Sequence, residues 1–431
     1  MPYSNVFRSP PPLLPYRPNP PRAACFLPTL LLALVFVLVG CDTSEPSVGS
    51  GLDGDGILFG RAADLQGDVA IVGAIASNEA FIFERQGASW RRAAEFEPTS
   101  GIDDEDPSFS EAVAIDGDVA VVGAPDANGK TGEIYIIERS GATWSQTSRI
   151  ESPGGEVRGR FGSALAVSEG RIAVGAGGTG RGMPGTVIVF ERDGGEWAET
   201  GRLRSPIRPD ELDPDVNQND GFGSRLAIDG NTLAVGSAST LPGQGDRQSV
   251  VLVYEWDGVN WGEPARVVPD RRGNGAFGGW IALSGPNMAV STFGFPFADR
   301  EEGGAVHAFR RQPDGSWHQE AEIPTPRLGP EDEGRLTPGF GFTADASGDR
   351  IAASAVYKRN HGLVYTYVRQ PDGTWTDEAT VERTSPGDGD FFGDAVALDR
   401  QTLIVGAPGA NRERGGTYVF ERQANNWVQT Q

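Results

Sequence analysis

The feature that most constrains the fold is one unit written seven times. Its clearest copy runs Phe109-Ser-Glu-Ala-Val-Ala-Ile-Asp-Gly-Asp-Val-Ala-Val-Val-Gly-Ala-Pro125, then a loop, then Gly132-Glu-Ile-Tyr-Ile-Ile-Glu-Arg139 and Thr143-Trp144. The leading aromatic recurs at Phe59, Phe109, Phe161, Phe222, Phe277, Phe340 and Phe392, and glycine follows it in six of the seven copies. The Val-Gly-Ala segment recurs at Val72, Val122, Val174, Val235 (as Val-Gly-Ser), Val290 (as Val-Ser-Thr), Ala353 (as Ala-Ser-Ala) and Val405. Each copy closes on a tryptophan: Trp90, Trp144, Trp197, Trp261, Trp317, Trp375 and Trp427. From each Phe to the glycine position of Val-Gly-Ala is fourteen residues in all seven copies, while the loops between vary. A spacing held this strictly marks one supersecondary unit repeated, and it takes precedence over any other reading of the chain.

Each copy contains four strand-like runs, expected in the second at 110–116, 118–124, 132–139 and 143–150. The first two meet at Asp116-Gly117, a pair suited to a two-residue hairpin because glycine tolerates positive φ. Four antiparallel strands in about fifty residues, seven times over, predict an all-β fold: a seven-bladed β-propeller with four antiparallel strands per blade over residues 57–431. One such sheet cannot bury both faces alone, so the ring is the stable unit. The repeated Phe and Trp are expected to pack between blades, and the Gly-Ala-rich second strand suits close approach of sheets.

The copies are identified as FG-GAP repeats, clearest at Gly123-Ala124-Pro125 and Gly406-Ala407-Pro408. They resemble the N-terminal propeller of integrin α chains and bacterial FG-GAP lipoproteins. The resemblance implies binding in place of catalysis, on the face that carries integrin ligands. Integrin propellers hold calcium in an Asp-x-Asp-x-Asp-Gly loop between the first and second strands. Here that connection is only Asp116-Gly117 or its equivalent, so those calcium residues are not carried over.

The N-terminus reads as an address. Residues 1–25 are Pro-rich with Arg8, Arg17 and Arg22, followed by an apolar run from Phe26 to Val39 that is short for a spanning helix. It ends Leu38-Val39-Gly40-Cys41, which resembles the lipoprotein signal, where lipid joins the cysteine and the chain is cut before it. The expected organisation is a signal peptide at 1–40, a flexible tether at 41–56 rich in Ser, Gly and Asp, and the propeller beyond. Cys41 is the lipidation residue, and the protein is expected outside the cytoplasm, anchored to a bacterial membrane of the cell envelope.

Composition narrows the partners. The net charge is −22 and the first forty residues hold three arginines and no acid, so the remainder carries −25. Such a surface repels nucleic acid. Lys130 and Lys358 are the only lysines, a pattern that fits a salt-adapted or high-GC origin. Both cysteines, Cys25 and Cys41, precede the repeats, so no disulfide braces the ring, and His307, His318 and His361 lack zinc-site spacing.

Connectivity separates the two faces of the ring. Turns between first and second and between third and fourth strands are tight and share one face. Second-to-third and blade-to-blade loops share the other and carry most of the variable length, as in 206–221, 239–248, 292–303 and 324–339. Binding concentrates on such variable loops. That face is also acidic, with candidate binding residues Asp103, Asp104, Asp106, Asp215, Asp220, Glu331, Asp332, Asp388 and Asp390. Oxygen-rich loops of this kind allow calcium, although solvated acids are the simpler reading and no metal residue is assigned. No catalytic residue is assigned: no Gly-x-Ser-x-Gly elbow occurs, and Pro313-Asp-Gly-Ser-Trp317 and Pro371-Asp-Gly-Thr-Trp375 read as turns, being too short for a sialidase Asp-box. The leading expectation is a monomeric envelope lipoprotein that binds a protein or glycan in adhesion or surface assembly. A carbohydrate-active propeller enzyme and a purely structural envelope protein are the alternatives.

Overall fold

The computed structural model describes residues 58–98, 108–154, 159–177, 185–205, 221–240, 247–271, 276–293, 304–326, 339–357, 361–424 and 426–431. Twenty-eight strands fall into seven sheets, each built of four consecutive antiparallel strands. Blades 1 to 7 take residues 59–96, 113–151, 164–204, 226–267, 276–324, 340–381 and 395–429. The expected seven-bladed, four-stranded propeller is the fold.

In blade 2 the register pairs Asp116 with Val119, leaving Gly117-Asp118 as a two-residue turn with Gly117 at φ 58°. Its strands are Val113–Asp116, Val119–Ala124, Glu133–Ser140 and Thr143–Glu151. The first is shorter than its sequence pattern predicts. Ser108 and Ser110 take φ of 54° and 66°, a left-handed conformation that interrupts a strand and swings Phe109 into the core. The second strand of blade 1, Val69–Ala74, is buried along its whole length. Neighbouring blades cover both its faces, so alternation gives way to a continuous apolar run.

The repeated Phe residues lie between sheets. Phe109 is fully buried among Ile71 and Ile82 of blade 1 and Val122 and Tyr135 of blade 2. It meets Tyr135 edge-to-face, with centroids 5.2 Å apart. Phe59 packs with Ile404 and Val419 of blade 7. Burial of each such ring contributes about 1.5–3 kcal/mol, and each needs the adjacent blade to provide it. Some of the closing tryptophans reach the same way: Trp144 Nε1 donates to Glu84 Oε1 of blade 1 at 2.8 Å, and Trp427 Nε1 to Thr366 Oγ1 of blade 6 at 3.1 Å.

The small residues at two positions, after the repeated Phe and in the Val-Gly-Ala segment, have a steric cause. Gly162 follows the Phe of blade 3 with φ 93° and aims its carbonyl oxygen at Gly123 in the second strand of blade 2; a Cβ on Gly123 would overlap that oxygen. Gly60 and Gly406 repeat the arrangement between blades 1 and 7. The Phe-Gly and Gly-Ala segments are thus the two halves of one inter-blade contact.

The ring closes without an exchanged strand, a point on which the sequence was silent. Blades 1 and 7 each keep their own four strands. Their junction is made by Gly416 N–H donating to Phe59 O at 3.1 Å, by Arg61–Asp394 at 2.9 Å and by Arg85–Glu421 at 3.2 Å. The Gln431 side chain adds two bonds, accepting from Trp90 N–H at 2.5 Å and donating to Trp90 O at 3.2 Å. Among the described residues no helix is long and apolar enough to cross a membrane.

Candidate functional site: the loop face and the central cavity

Of the residues singled out in the sequence, Cys41, Asp103, Asp104, Asp106, Asp215, Asp220, Glu331 and Asp332 lie outside the described residues. Asp388 is exposed. Asp390 is only 4% exposed. Its Oδ2 accepts from Arg383 Nη1 and from Gly387 N–H, both at 2.6 Å, so this carboxylate orders its own loop. The two Pro-Asp-Gly segments are turns: Asp314 and Asp372 each accept from the backbone and hydroxyl of the residue two positions on, Ser316 and Thr374.

Two blades treat one rim position in opposite ways. In blade 2 the fully buried Glu133 accepts from Arg149 Nη2 at 2.6 Å, Tyr135 Oη at 2.5 Å and Asn128 Nδ2 at 3.0 Å. In blade 1 the register partner that corresponds to Arg149 is Glu95. There Glu79, Glu95 and Glu97 bring carboxylate oxygens within 4.8 Å of one another, with Arg92 beside Glu95 at 3.2 Å.

The larger feature lies on the ring axis, where first strands from all seven blades surround a cavity of about 700 Å3. Its two ends differ chemically. At the tight-turn end, the residue seven positions after each repeated Phe reaches to the next blade and accepts the N–H eight positions after that blade's Phe. Gln66 accepts from Gly117, Asp116 from Glu169, Ser168 from Gly230, and Asp229 from Gly285. Ser284 accepts from Gly348, Ser347 from Arg400, and Asp399 from Gly67. Seven bonds of 2.5–3.0 Å form a closed circuit that crosses the blade 7 to blade 1 junction like every other. This circuit went unread in the sequence, though its signal was there: every copy carries a side-chain acceptor at that position.

Two residues earlier, five copies carry alanine and two carry aspartate. Asp64 accepts from Ile115 N–H of blade 2 at 2.8 Å, and Asp345 from Leu398 N–H of blade 7 at 2.7 Å. Burial pushes both carboxyls up despite those bonds, Asp345 to about 7, with Asp64 and Asp399 adding repulsion. At the loop-face end stand Arg61, Arg160, Arg225, Glu111, Asp394, Trp280 and Phe342. Arg160 pairs with Glu111 at 2.5 Å and Asp126 at 3.1 Å. The cavity is therefore cationic toward the variable loops and carboxylate-rich toward the tight turns. Within the described residues, nothing there forms a nucleophile–base pair.

Residues 375–420, from the last strand of blade 6 to the third of blade 7, match the FG-GAP repeat family. No curated protein matches. Solved structures share the architecture. A 6-phosphogluconolactonase candidate from Bacteroides uniformis aligns with TM-score 0.55 and 12% identity, covering 84% of this chain and 94% of that one. Its counterpart from Bacteroides fragilis gives 0.52 and 14%, covering 81% and 88%. A Lactobacillus plantarum protein gives 0.51 and 13%, covering 82% and 91%. At these identities the likeness shows the fold alone.

Proposed function

We propose that the chain, an FG-GAP propeller by its repeats and its seven blades, is an extracytoplasmic lipoprotein held by lipid on Cys41, whose loop face binds a protein or glycan partner. The fold with its repeat family supports a role in protein interaction or structure. Binding at the loop face rests on one observation: all seven first-to-second turns are short, and among the described strands the long connections begin and end at the opposite strand ends. Described strands end at Arg204, Phe293 and Pro324 and resume at Leu226, Ala305 and Phe340. Scaffolds of fixed geometry place recognition on such connections because loop changes there leave the core intact.

The test is partner capture from cell-surface extracts by the mature protein from residue 42. Short turns grafted in place of 206–221, 292–303 and 324–339 are expected to abolish capture while the ring still unfolds cooperatively. Capture that survives all three grafts sinks the face assignment. Replacing Cys41 with Ser tests the anchor separately: the variant is expected to lose incorporation of labelled fatty acid and to leave the membrane fraction.

A further inference from the structure

The repeat pattern isolates two residues in the cavity that the fold does not require. Three positions after the repeated Phe, the copies carry Ala62, Ala112, Ala164, Arg225, Trp280, Thr343 and Ala395. Small residues serve the ring in five blades. Blades 4 and 5 instead place a guanidinium and an indole side by side, Arg225 Cζ lying 5.4 Å from the Trp280 ring centroid. Two backbone carbonyls fix the guanidinium: Nε donates to Gly279 O at 3.0 Å and Nη1 to Ser224 O at 2.7 Å.

Its neighbours are already occupied. Arg61 is paired with Asp394 and Arg160 with Glu111 and Asp126. Among the described residues no carboxylate lies within ion-pair reach of Arg225, and Nη2 has no partner. Burial holds the Arg225 guanidinium below its ordinary pKa, with Glu111 attracting and Arg61 opposing. Burial raises the Glu111 carboxyl from its ordinary value, against the pull of Arg160, and its pairing with Arg160 at 2.5 Å keeps it from serving Arg225. A cation pinned by an indole and two carbonyls, with its outer edge exposed to the cavity, is preorganised for a planar, two-oxygen anion.

We propose that the central cavity binds a small hydroxylated carboxylate of the sugar-acid class, its carboxylate seated on Arg225. The cavity of about 700 Å3 lies within the ordinary range for small-ligand pockets. Beyond Arg225 its wall offers acceptors to hydroxyl donors: Glu111 and Asp394 near the mouth, Asp64 and Asp345 deeper in. The acidic inner end disfavours a second negative charge, so the fit is to a monoanion with neutral, donor-rich remainder. This site is independent of the loop-face reading above; either can hold without the other.

The test is calorimetric titration of the purified full chain with D-glucuronate, against D-glucose and sulfate. Saturable glucuronate binding is expected, at least about tenfold tighter than glucose, one lost charge-assisted pair being worth that factor. Sulfate alone binding, or glucose binding equally well, overturns the proposal, as does glucuronate failing to saturate. Arg225→Met is expected to weaken glucuronate binding about tenfold or more and Arg225→Lys to fall between, because a point charge replaces a fork. Unchanged affinity in both folded variants refutes the seat. Should Arg225→Met not fold, the wild type decides: raising salt from about 20 to about 500 mM must weaken glucuronate binding, and salt-insensitive binding overturns the assignment.

Discussion

Replacing Asp345 with Asn isolates the electrostatic cost of the cavity's acidic end. The two oxygens of Asp345 accept from Leu398 N–H at 2.7 Å and Ala346 N–H at 2.8 Å. Those bonds favour the charged form, yet desolvation outweighs them, and Asp64 and Asp399 add repulsion, so the pKa climbs from 3.8 to about 7. A carboxyl raised in the folded state binds its proton more tightly there than in the unfolded chain. Its cost is therefore absent below pH 3.8, grows as pH rises through the interval, and is constant above about 7. The interval spans about 3 units, and about 1.4 kcal/mol per unit sets a ceiling of about 4 kcal/mol. Asp345 is half-buried on the cavity wall, and solvent screening there brings the figure to about 2 kcal/mol. Asn keeps the shape but offers one acceptor to the two N–H groups, a loss of about 1 kcal/mol at every pH. Asp345→Asn is thus expected to be about 1 kcal/mol weaker than wild type at pH 4 and about 1 kcal/mol stronger at pH 8. Urea unfolding followed by tryptophan emission, at several pH values between these, measures the difference. A variant whose advantage is the same at both ends of the range, or that is weaker at pH 8, refutes the reasoning.

Other perturbations address the ring's remaining devices. Arg149→Met leaves Glu133 charged and fully buried, and should cost about 3–5 kcal/mol in urea unfolding; adding Glu133→Gln should recover most of it. Gly123→Ala drives a methyl into the Gly162 carbonyl and should cost about 2–3 kcal/mol, where alanine in the open turn at Gly67 meets no atom and is limited by its φ alone. Asp399→Ala breaks the circuit at the blade 7 to blade 1 junction and Ser168→Ala breaks it between blades 3 and 4. Each should cost about 1 kcal/mol, and hydrogen exchange should speed at Gly67 and at Gly230 respectively. Equal protection at both amides in both variants would remove the circuit from the account of closure.

The blade count, the antiparallel order and the inward-facing Phe were determined by sequence alone, because they follow from spacings within one fifty-residue unit. Alternation and turn residues specify a sheet locally, and seven equal copies leave the ring as the way to cover every face. The tertiary structure decided what happens between copies. Asp399 meets Gly67, and Arg61 meets Asp394, across more than three hundred residues of chain. No local pattern states that the last blade docks on the first without trading a strand. The cavity is likewise a product of closure: Asp64 and Asp345 look like stray acids in otherwise apolar strands until the ring sets them in one axis with Asp399 between them. Arg225 and Trp280 occupy equal positions in consecutive copies, so their departure from alanine was written in the sequence. That the departure makes a single seat facing a shared cavity came only from the curvature that brings neighbouring first strands together.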